Sequence, residues 1–134
     1  SEGNFKLNEN GNGVYFGEVS LENNGGFSSL RFRFNKKEIS NYSKIILKIK
    51  GDGKDYQFRV KDNYRNFYSY ISSFSTNKNW QLIEINLSEM YPGFRGRKLE
   101  MSKFSSSIIE EIAFLIGNKR NESFKIEIDK IYLE

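Results

Sequence analysis

The sequence predicts an all-β protein, either a sandwich or a barrel, and three observations support this prediction. Apolar and polar residues alternate in several short runs, as they do in strands that bury one face. Gly, Asn and Pro residues, which favour turns, separate these runs at short intervals. Twelve Phe and eight Tyr residues in a chain of 134 residues provide the side chains for a well-filled core.

Four strands are predicted in the first two thirds of the chain. Strict alternation marks three of them: Lys44 to Lys50, Tyr56 to Lys61 and Gln81 to Leu87. In the fourth, Leu30, Phe32 and Phe34 share one apolar face. Arg31 and Arg33 lie on the opposite face, which we expect to meet solvent.

Two more strands are predicted in the last third. The run 112–116 is apolar at every position, which suits a central strand that is covered on both faces, and residues 107–111 could form a helical turn before it. Phe124, Ile126 and Ile128 alternate with polar residues, but Ile131 has the opposite parity. A β-bulge near residues 129 and 130 explains this change most simply.

The segments between the strands are rich in turn-forming residues. The sequence Gly51-Asp52-Gly53 predicts a hairpin turn, because it lacks the Lys-Ser/Thr ending of a phosphate-binding loop. Residues 88–107 contain the only proline and no strong strand pattern, so we expect an ordered crossover loop. A helical turn is predicted at residues 88–90.

Composition excludes most catalytic chemistry. The chain has no Cys and no His, which removes disulfides, thiolate nucleophiles and imidazole bases or metal ligands. Two carboxylates alone suffice for glycoside hydrolysis, but no pair of them stands out here. We therefore expect a protein without a cofactor that is not an enzyme, and at this length a single domain over residues 1–134.

Charge and hydropathy narrow the range of partners. The formal net charge is +4 with interleaved aromatic residues, a combination that suits single-stranded nucleic acid. Lysines that alternate with isoleucines are equally typical of the solvent face of a sheet, so nucleic acid is the disfavoured partner. The sequence has no run that could span a membrane and no secretory signal, which leaves a cytoplasmic location as the default.

The order of several motifs resembles the complex I intermediate-associated protein family over about residues 14–133. The motifs are Ser20-Leu21-Glu22-Asn23-Asn24-Gly25-Gly26-Phe27, Arg31, Gly51-Asp52-Gly53, Trp80, Pro92-Gly93-Phe94-Arg95-Gly96 and 112–116. The resemblance implies a galactose-binding-like jelly-roll sandwich, an architecture shared with many carbohydrate-binding modules. It also implies a non-catalytic role, because the mitochondrial members are assembly factors for respiratory complex I. The abundance of Lys, Asn and Ile is more typical of a bacterial chain.

The first candidate surface surrounds the Asn-Asn-Gly-Gly run. Glu22, Asn23 and Asn24 provide a carboxylate and two amides, and Arg31 follows after the break. Turn architecture alone explains this composition, and contact with a ligand is the alternative. Glu22 and Arg31 could also form an ion pair, although an exposed pair contributes only about 0–1 kcal/mol.

Aromatic residues supply the other candidate surfaces. Tyr68 and Tyr70 share one face of a strand, so they form a platform for sugar rings if that face is open and part of the core if it is closed. Trp80 starts a strand, where it packs in the core or at its rim or serves as a ligand platform. Tyr91 and Arg95 lie in the crossover loop and resemble an interface hot spot.

We therefore predict a non-enzymatic binding module. A protein partner, in an assembly or scaffold role, is the first expectation, and carbohydrate is the alternative. A groove that combines aromatic rings with carboxylates and amides favours sugar. A flat or convex patch around Tyr91 and Arg95 favours a protein partner.

Overall fold

The computed structural model describes residues 1–22 and 25–134, which form eleven β-strands and one 3₁₀ turn at Leu87–Glu89. The alternating runs of the sequence form extended strands. Each strand pairs with a neighbouring strand and buries every second side chain. The strands are, in chain order, β1 (Glu2–Leu7), β2 (Gly13–Val19), β3 (Ser28–Glu38), β4 (Lys44–Lys50), β5 (Asp55–Lys61), β6 (Ser69–Ser75), β7 (Trp80–Asn86), β8 (Tyr91–Phe94), β9 (Arg97–Lys98), β10 (Ile108–Ile116) and β11 (Glu122–Leu133).

Two sheets pack face to face. The five-stranded sheet has the order β1-β2-β11-β4-β7, and the six-stranded sheet has the order β3-β10-β5-β6-β8-β9. Every pairing in the two sheets is antiparallel. The chain crosses repeatedly from one sheet to the other, and this arrangement confirms the predicted all-β jelly-roll sandwich of the galactose-binding-like type.

The core lies between the two sheets and is filled by the inward face of each alternating run. Leu47 and Ile49 of the five-stranded sheet are fully buried, as is Phe58 of the six-stranded sheet. The ring of Phe58 packs edge-to-face on Phe114, with centroids 5.3 Å apart. Burial of each such side chain stabilises the fold by about 1.5–3 kcal/mol.

The apolar face of β3 is only partly covered, because β3 is an edge strand. Leu30 packs against the core, whereas Phe32 and Phe34 remain 36% exposed. Phe5 of β1 covers part of this face and packs edge-to-face on Phe32 with a centroid distance of 5.9 Å.

Several local predictions are confirmed. The pairing of β11 with β4 shifts register between Ile128 and Lys130, where the change of parity predicted a bulge. Strand β10 lies inside its sheet and is buried on both faces, with Phe114 on one side and Ala113 on the other. The helical turn near residue 88 is the 3₁₀ turn.

Other local predictions are wrong. Gly51-Asp52-Gly53 is not a hairpin turn, because β4 and β5 belong to different sheets. Residues 108–111 belong to β10 and form no helical turn, since Ile109 pairs with Lys37 of β3. The crossover loop contains strands β8 and β9, which extend the six-stranded sheet beyond β6. Within residues 1–22 and 25–134, no helix is long and apolar enough to cross a membrane.

Candidate binding groove

The outer face of the six-stranded sheet carries a groove of about 850 Å³. Strands β3, β10, β5, β6 and β8 contribute to it, so the groove runs across most of the sheet. We call this feature the groove, and the residues that line it are Gly26, Phe27, Ser29, Arg31, Gln57, Arg59, Lys61, Phe67, Ser69, Gly93, Phe94, Arg95, Gly96, Glu111, Ala113, Leu115 and Gly117.

Strand register arranges the charged residues in two rows. Ala113 of β10 pairs with Arg31 on one side and with Arg59 on the other. Glu111, two residues earlier, pairs with Arg33 and Lys61. Paired residues in neighbouring strands point to the same face, so these side chains all lie on the outer side of the sheet.

The floor of the groove lies below its walls because small residues form it. Ala113 is 4% exposed, and Ser29 and Ser69 lie on the strands around it. A Cβ atom on Gly93 of β8 would lie 2.7 Å from Cδ1 of Ile71 and 3.2 Å from the carbonyl oxygen of Arg97, so a larger residue there would displace a neighbouring side chain. The walls therefore stand above a surface that offers hydroxyl groups and backbone.

Phe27 forms one wall, and the preceding glycines allow it to reach this position. A Cβ atom on Gly25 would lie 2.1 Å from the carbonyl oxygen of Ser20. Gly26 has a φ of +105°, a conformation that residues with a side chain rarely adopt, and its N–H donates to that same oxygen at 2.7 Å. A Cβ atom on Gly117 of the neighbouring loop would lie 3.0 Å from the carbonyl oxygen of Gly26 and 3.1 Å from Cβ of Phe27, so this glycine allows the two loops to pack closely.

The opposite wall consists of Phe67 and Phe94, whose rings meet edge-to-face with centroids 5.1 Å apart. Phe94 ends β8, and a two-residue turn of Arg95 and Gly96 connects it to β9. Both turn residues have positive φ, 49° and 77°, as a type I′ hairpin requires. The guanidinium of Arg95 lies 5.1 Å from the centre of the Phe94 ring, at the mouth of the groove.

Neutral groups hold two of the cations in the groove. The guanidinium of Arg59 donates to Oε1 of Gln57 through Nε at 3.0 Å and through Nη2 at 2.6 Å. The ammonium of Lys61 donates to the backbone carbonyl of Asn66 at 2.6 Å. Glu111 is buried and accepts a hydrogen bond from Nε of Arg33 at 2.8 Å.

The pKa values of both cations are lowered. Burial is the main cause for Arg59, and nearby Arg31 adds to it while Tyr91 opposes it. Burial also lowers the pKa of Lys61, and the neighbouring arginines act in the same direction against the opposing effect of Glu111. Within residues 1–22 and 25–134, no cluster of three acidic side chains is placed to hold a metal ion.

Residues 1–128 match the family described as complex I intermediate-associated protein 30 (CIA30). The chain belongs to the CIA30 family. This membership confirms the resemblance that the sequence motifs indicated. No curated protein is similar enough in sequence to count as a match.

Solved structures share the fold of this CIA30 family member at low sequence identity. A family 11 carbohydrate-binding module from Clostridium thermocellum, in complex with a β-1,3-1,4-mixed-linked tetrasaccharide, aligns with a TM-score of 0.75 and 20% identity, over 98% of this chain and 81% of the other. The same type of module from the cellulosomal cellulase Lic26A-Cel5E of that organism aligns with a TM-score of 0.75 and 19% identity, over 98% and 79%. An exo-β-agarase aligns with a TM-score of 0.62 and 13% identity, over 99% of this chain and 22% of its own.

Three of the residues predicted as surface candidates lie on the grooved face of this CIA30 family member. Arg31 and Arg95 line the groove, and Tyr91 pairs with Ile71, which itself pairs with Arg59. Glu22 is exposed beside the loop that carries Phe27, and no ion pair joins it to Arg31 among residues 1–22 and 25–134. The predicted candidates Asn23 and Asn24 lie outside the described residues.

Of the two alternatives predicted for Tyr68 and Tyr70, the structure supports packing against the core, and the platform for sugar rings is wrong. Tyr70 is only 8% exposed, because its ring packs edge-to-face on Phe104, which comes from the crossover segment, with centroids 5.1 Å apart. Tyr68 is partly buried against the same core and meets Tyr70 at 5.7 Å. The face of β6 that carries Tyr70 is therefore closed, whereas Phe67, in the segment just before β6, lines the groove.

Trp80 lies away from the groove. It begins β7, an edge strand of the five-stranded sheet, and is 42% exposed. Its ring lies 5.8 Å from the ammonium nitrogen of Lys48. Trp80 therefore contributes to a different surface from Arg31, Tyr91 and Arg95.

The sequence did not single out Arg59, Lys61 or Glu111 as site residues. Arg59 and Lys61 alternate with buried Phe58 and Val60, so they look like ordinary solvent-facing positions. Glu111 directly precedes the apolar run 112–116 of β10, and its carboxylate is a local signal that could have indicated a polar function on this strand.

Proposed function

We propose that this chain is a non-enzymatic binding module that holds a segment of a polysaccharide in the groove. The groove itself carries the proposal, because it combines an elongated concave surface with aromatic rings at both ends. Phe27 stands at one end and Phe67 and Phe94 at the other. Exposed rings in such positions stack on the apolar faces of sugars.

Polar groups between the rings suit the hydroxyl groups of a sugar. Ser29 and Ser69 offer hydroxyls that can both donate and accept hydrogen bonds, and Gln57 offers an amide. Binding sites for small molecules and chains commonly join a few fixed polar groups to apolar walls. The shared fold with a module solved in complex with a tetrasaccharide supports the same proposal.

The composition of the groove supports binding without catalysis. Among the described residues, one carboxylate lines the groove, namely Glu111, and it is engaged by Arg33. Hydrolysis of a glycosidic bond usually requires two carboxylates on opposite sides of the bond. The chain also contains no histidine or cysteine that could take over acid, base or nucleophilic roles.

A protein partner is the second candidate, and membership of the CIA30 family favours it. In this alternative the chain acts as an assembly or scaffold factor. Exposed Arg95, which lies over the Phe94 ring at the tip of the hairpin, is the kind of side chain found in interface hot spots. Tyr91 on the same face enlarges that surface.

A glycan array combined with affinity capture from a lysate and mass spectrometry separates the two candidates. Phe67 is 61% exposed, so Phe67→Ala removes a groove ring with little effect on folding, and we expect it to abolish the array signal. Trp80→Ala is the matched control, since it removes an exposed ring from the other sheet. Absence of any array signal, together with capture of one protein that Arg95→Ala releases, would refute the polysaccharide proposal.

A further inference from the structure

The groove holds more positive charge than negative charge. Arg31, Arg59, Lys61 and Arg95 line it, and Glu111 contributes the one carboxylate that the described residues place there. Arg31 and Arg59 flank Ala113 on the two neighbouring strands, so their Cα atoms are separated by two strand spacings, or about 10 Å. Two cations at this separation can contact successive charged groups along one extended ligand.

None of these four cations forms an ion pair in the part of the chain that the structure describes, although Glu111 lies opposite Lys61 on the neighbouring strand and opposes the lowering of its pKa. The ion pairs within residues 1–22 and 25–134 involve other basic residues, and Glu111 pairs with Arg33. The neutral oxygens of Gln57 and Asn66 position Arg59 and Lys61 without cancelling their charge. Such partners hold the side chains in place and leave their charge available to a ligand.

The outer face of the five-stranded sheet provides a comparison within the same molecule. There, the ammonium of Lys48 lies 3.0 Å from a carboxylate oxygen of Asp129. The ammonium of Lys44 lies 3.5 Å from a carboxylate oxygen of Glu84. Two strand lysines of that sheet are therefore paired with carboxylates, whereas Lys6, Lys50, Lys125 and Lys130 of the same sheet form no ion pair within the described residues. The groove differs in that none of its four cations is paired within these residues.

We propose that the groove selects an acidic polysaccharide, one whose sugar rings carry repeated carboxylate or sulfate groups. This inference rests on the proposed function and names the class of polysaccharide. In this proposal the rings of Phe27, Phe67 and Phe94 stack on sugar rings. The cations of the groove bind the acidic groups that those sugars carry. The lowered pKa values of Arg59 and Lys61 agree with this proposal, because a bound anion would offset the burial and the mutual repulsion of these cations.

The test measures binding of the full chain to polygalacturonate and to the same polymer with its carboxylates methyl-esterified, by isothermal titration calorimetry. The two polymers share a backbone and differ in charge, so we expect binding of the first and at least a tenfold weaker affinity for the second. Arg31→Gln and Arg59→Gln should each weaken binding on the order of tenfold, as expected for the loss of a charge-assisted hydrogen bond. Lys48→Gln, on the other sheet, should leave the affinity unchanged. Dextran sulfate and uncharged dextran, tested in parallel, show whether sulfate can replace carboxylate.

Each failure has a different meaning. Equal affinity for the acidic and the esterified polymer, lost on Phe67→Ala, would overturn the inference and leave the proposed function standing. Binding of poly-glutamate as tightly as polygalacturonate would show that charge alone is recognised. This result would overturn the inference that the ligand is an acidic polysaccharide. Absence of binding to every polysaccharide would overturn the proposed function as well.

Arg95→Asn provides a second variant that tests the charge, since asparagine tolerates the backbone of this turn.

Discussion

Tyr15 connects the two sheets through a hydrogen bond whose contribution should depend on pH. Its phenol is 1% exposed and lies 2.5 Å from the hydroxyl of Ser28, at the start of β3. Burial raises the pKa of Tyr15 to about 12, although the hydrogen bond to Ser28 lowers it in part. In the unfolded chain the pKa of a tyrosine is about 10.

The sign of the pH effect follows from these two pKa values. The folded state disfavours the phenolate, so the contribution of Tyr15 is complete below pH 10 and is lost as the pH rises toward 12. The loss amounts to about 1.4 kcal/mol for each pH unit in this window. At pH 11 the wild-type protein should therefore have lost about 1.4 kcal/mol through this residue alone.

Tyr15→Phe isolates this effect in urea unfolding at pH 8 and at pH 11. At pH 8 the variant should be less stable by about 1 kcal/mol, because it lacks the hydrogen bond to Ser28. At pH 11 this difference should vanish or reverse, because the wild-type protein has lost the contribution of Tyr15 whereas phenylalanine does not titrate. The other buried tyrosines are present in both proteins, so their effect cancels in the comparison. Tyr42→Phe, at a site that is 45% exposed, controls for the substitution itself. An equal difference at both pH values would refute the argument that Tyr15 titrates with a raised pKa in the folded state.

Substitutions at three other positions test how the groove is built. Gly25→Ala should lower the free energy of unfolding by about 1–3 kcal/mol in urea titrations, because the new Cβ atom collides with the carbonyl oxygen of Ser20. A smaller loss would show that the loop relaxes freely. At position 95, where φ is 49°, Arg95→Asn should be more stable than Arg95→Ala by about 1 kcal/mol in thermal or urea unfolding, since asparagine tolerates a left-handed backbone. Equal stability of the two variants would argue against strain in this turn. Glu111→Gln should cost about 1–2 kcal/mol through the weakened bond to Arg33 and should tighten the binding of polygalacturonate in calorimetry. Weaker binding after this change would contradict the electrostatic explanation of the groove.

Local alternation in the sequence predicted many individual strands correctly. In β4 and β5 it identified Leu47, Ile49 and Phe58 as inward residues, and all three are buried. The change of parity after Ile128 located a bulge that depends only on which side chains face the core. These features could be predicted because the burial of one face of a strand leaves a direct record in the order of its residues.

Strand β6 shows where this kind of prediction stops. Tyr70 and Phe74 lie on one face of β6 and Ile71 on the other, and Phe67, just before the strand, has the parity of Ile71, so both faces carry apolar side chains. The packing of Phe104 against Tyr70 closes the first face, and this contact joins residues 34 positions apart in the sequence. Phe67 could be assigned to the groove only after that contact was known.

The sequence by itself determined the all-β sandwich, most of its strands, the absence of thiol and imidazole chemistry, and the likeness to the CIA30 family. Tertiary structure decided which strands share a sheet, because hydrogen bonds between strands join residues that are distant along the chain. It also placed Arg31 and Arg59 on either side of Ala113, and brought Phe27, Phe67 and Phe94 to the walls of the groove. A charge on the outer face of a strand gains a function only from its neighbours across the sheet, and alternation along one strand carries no information about those neighbours.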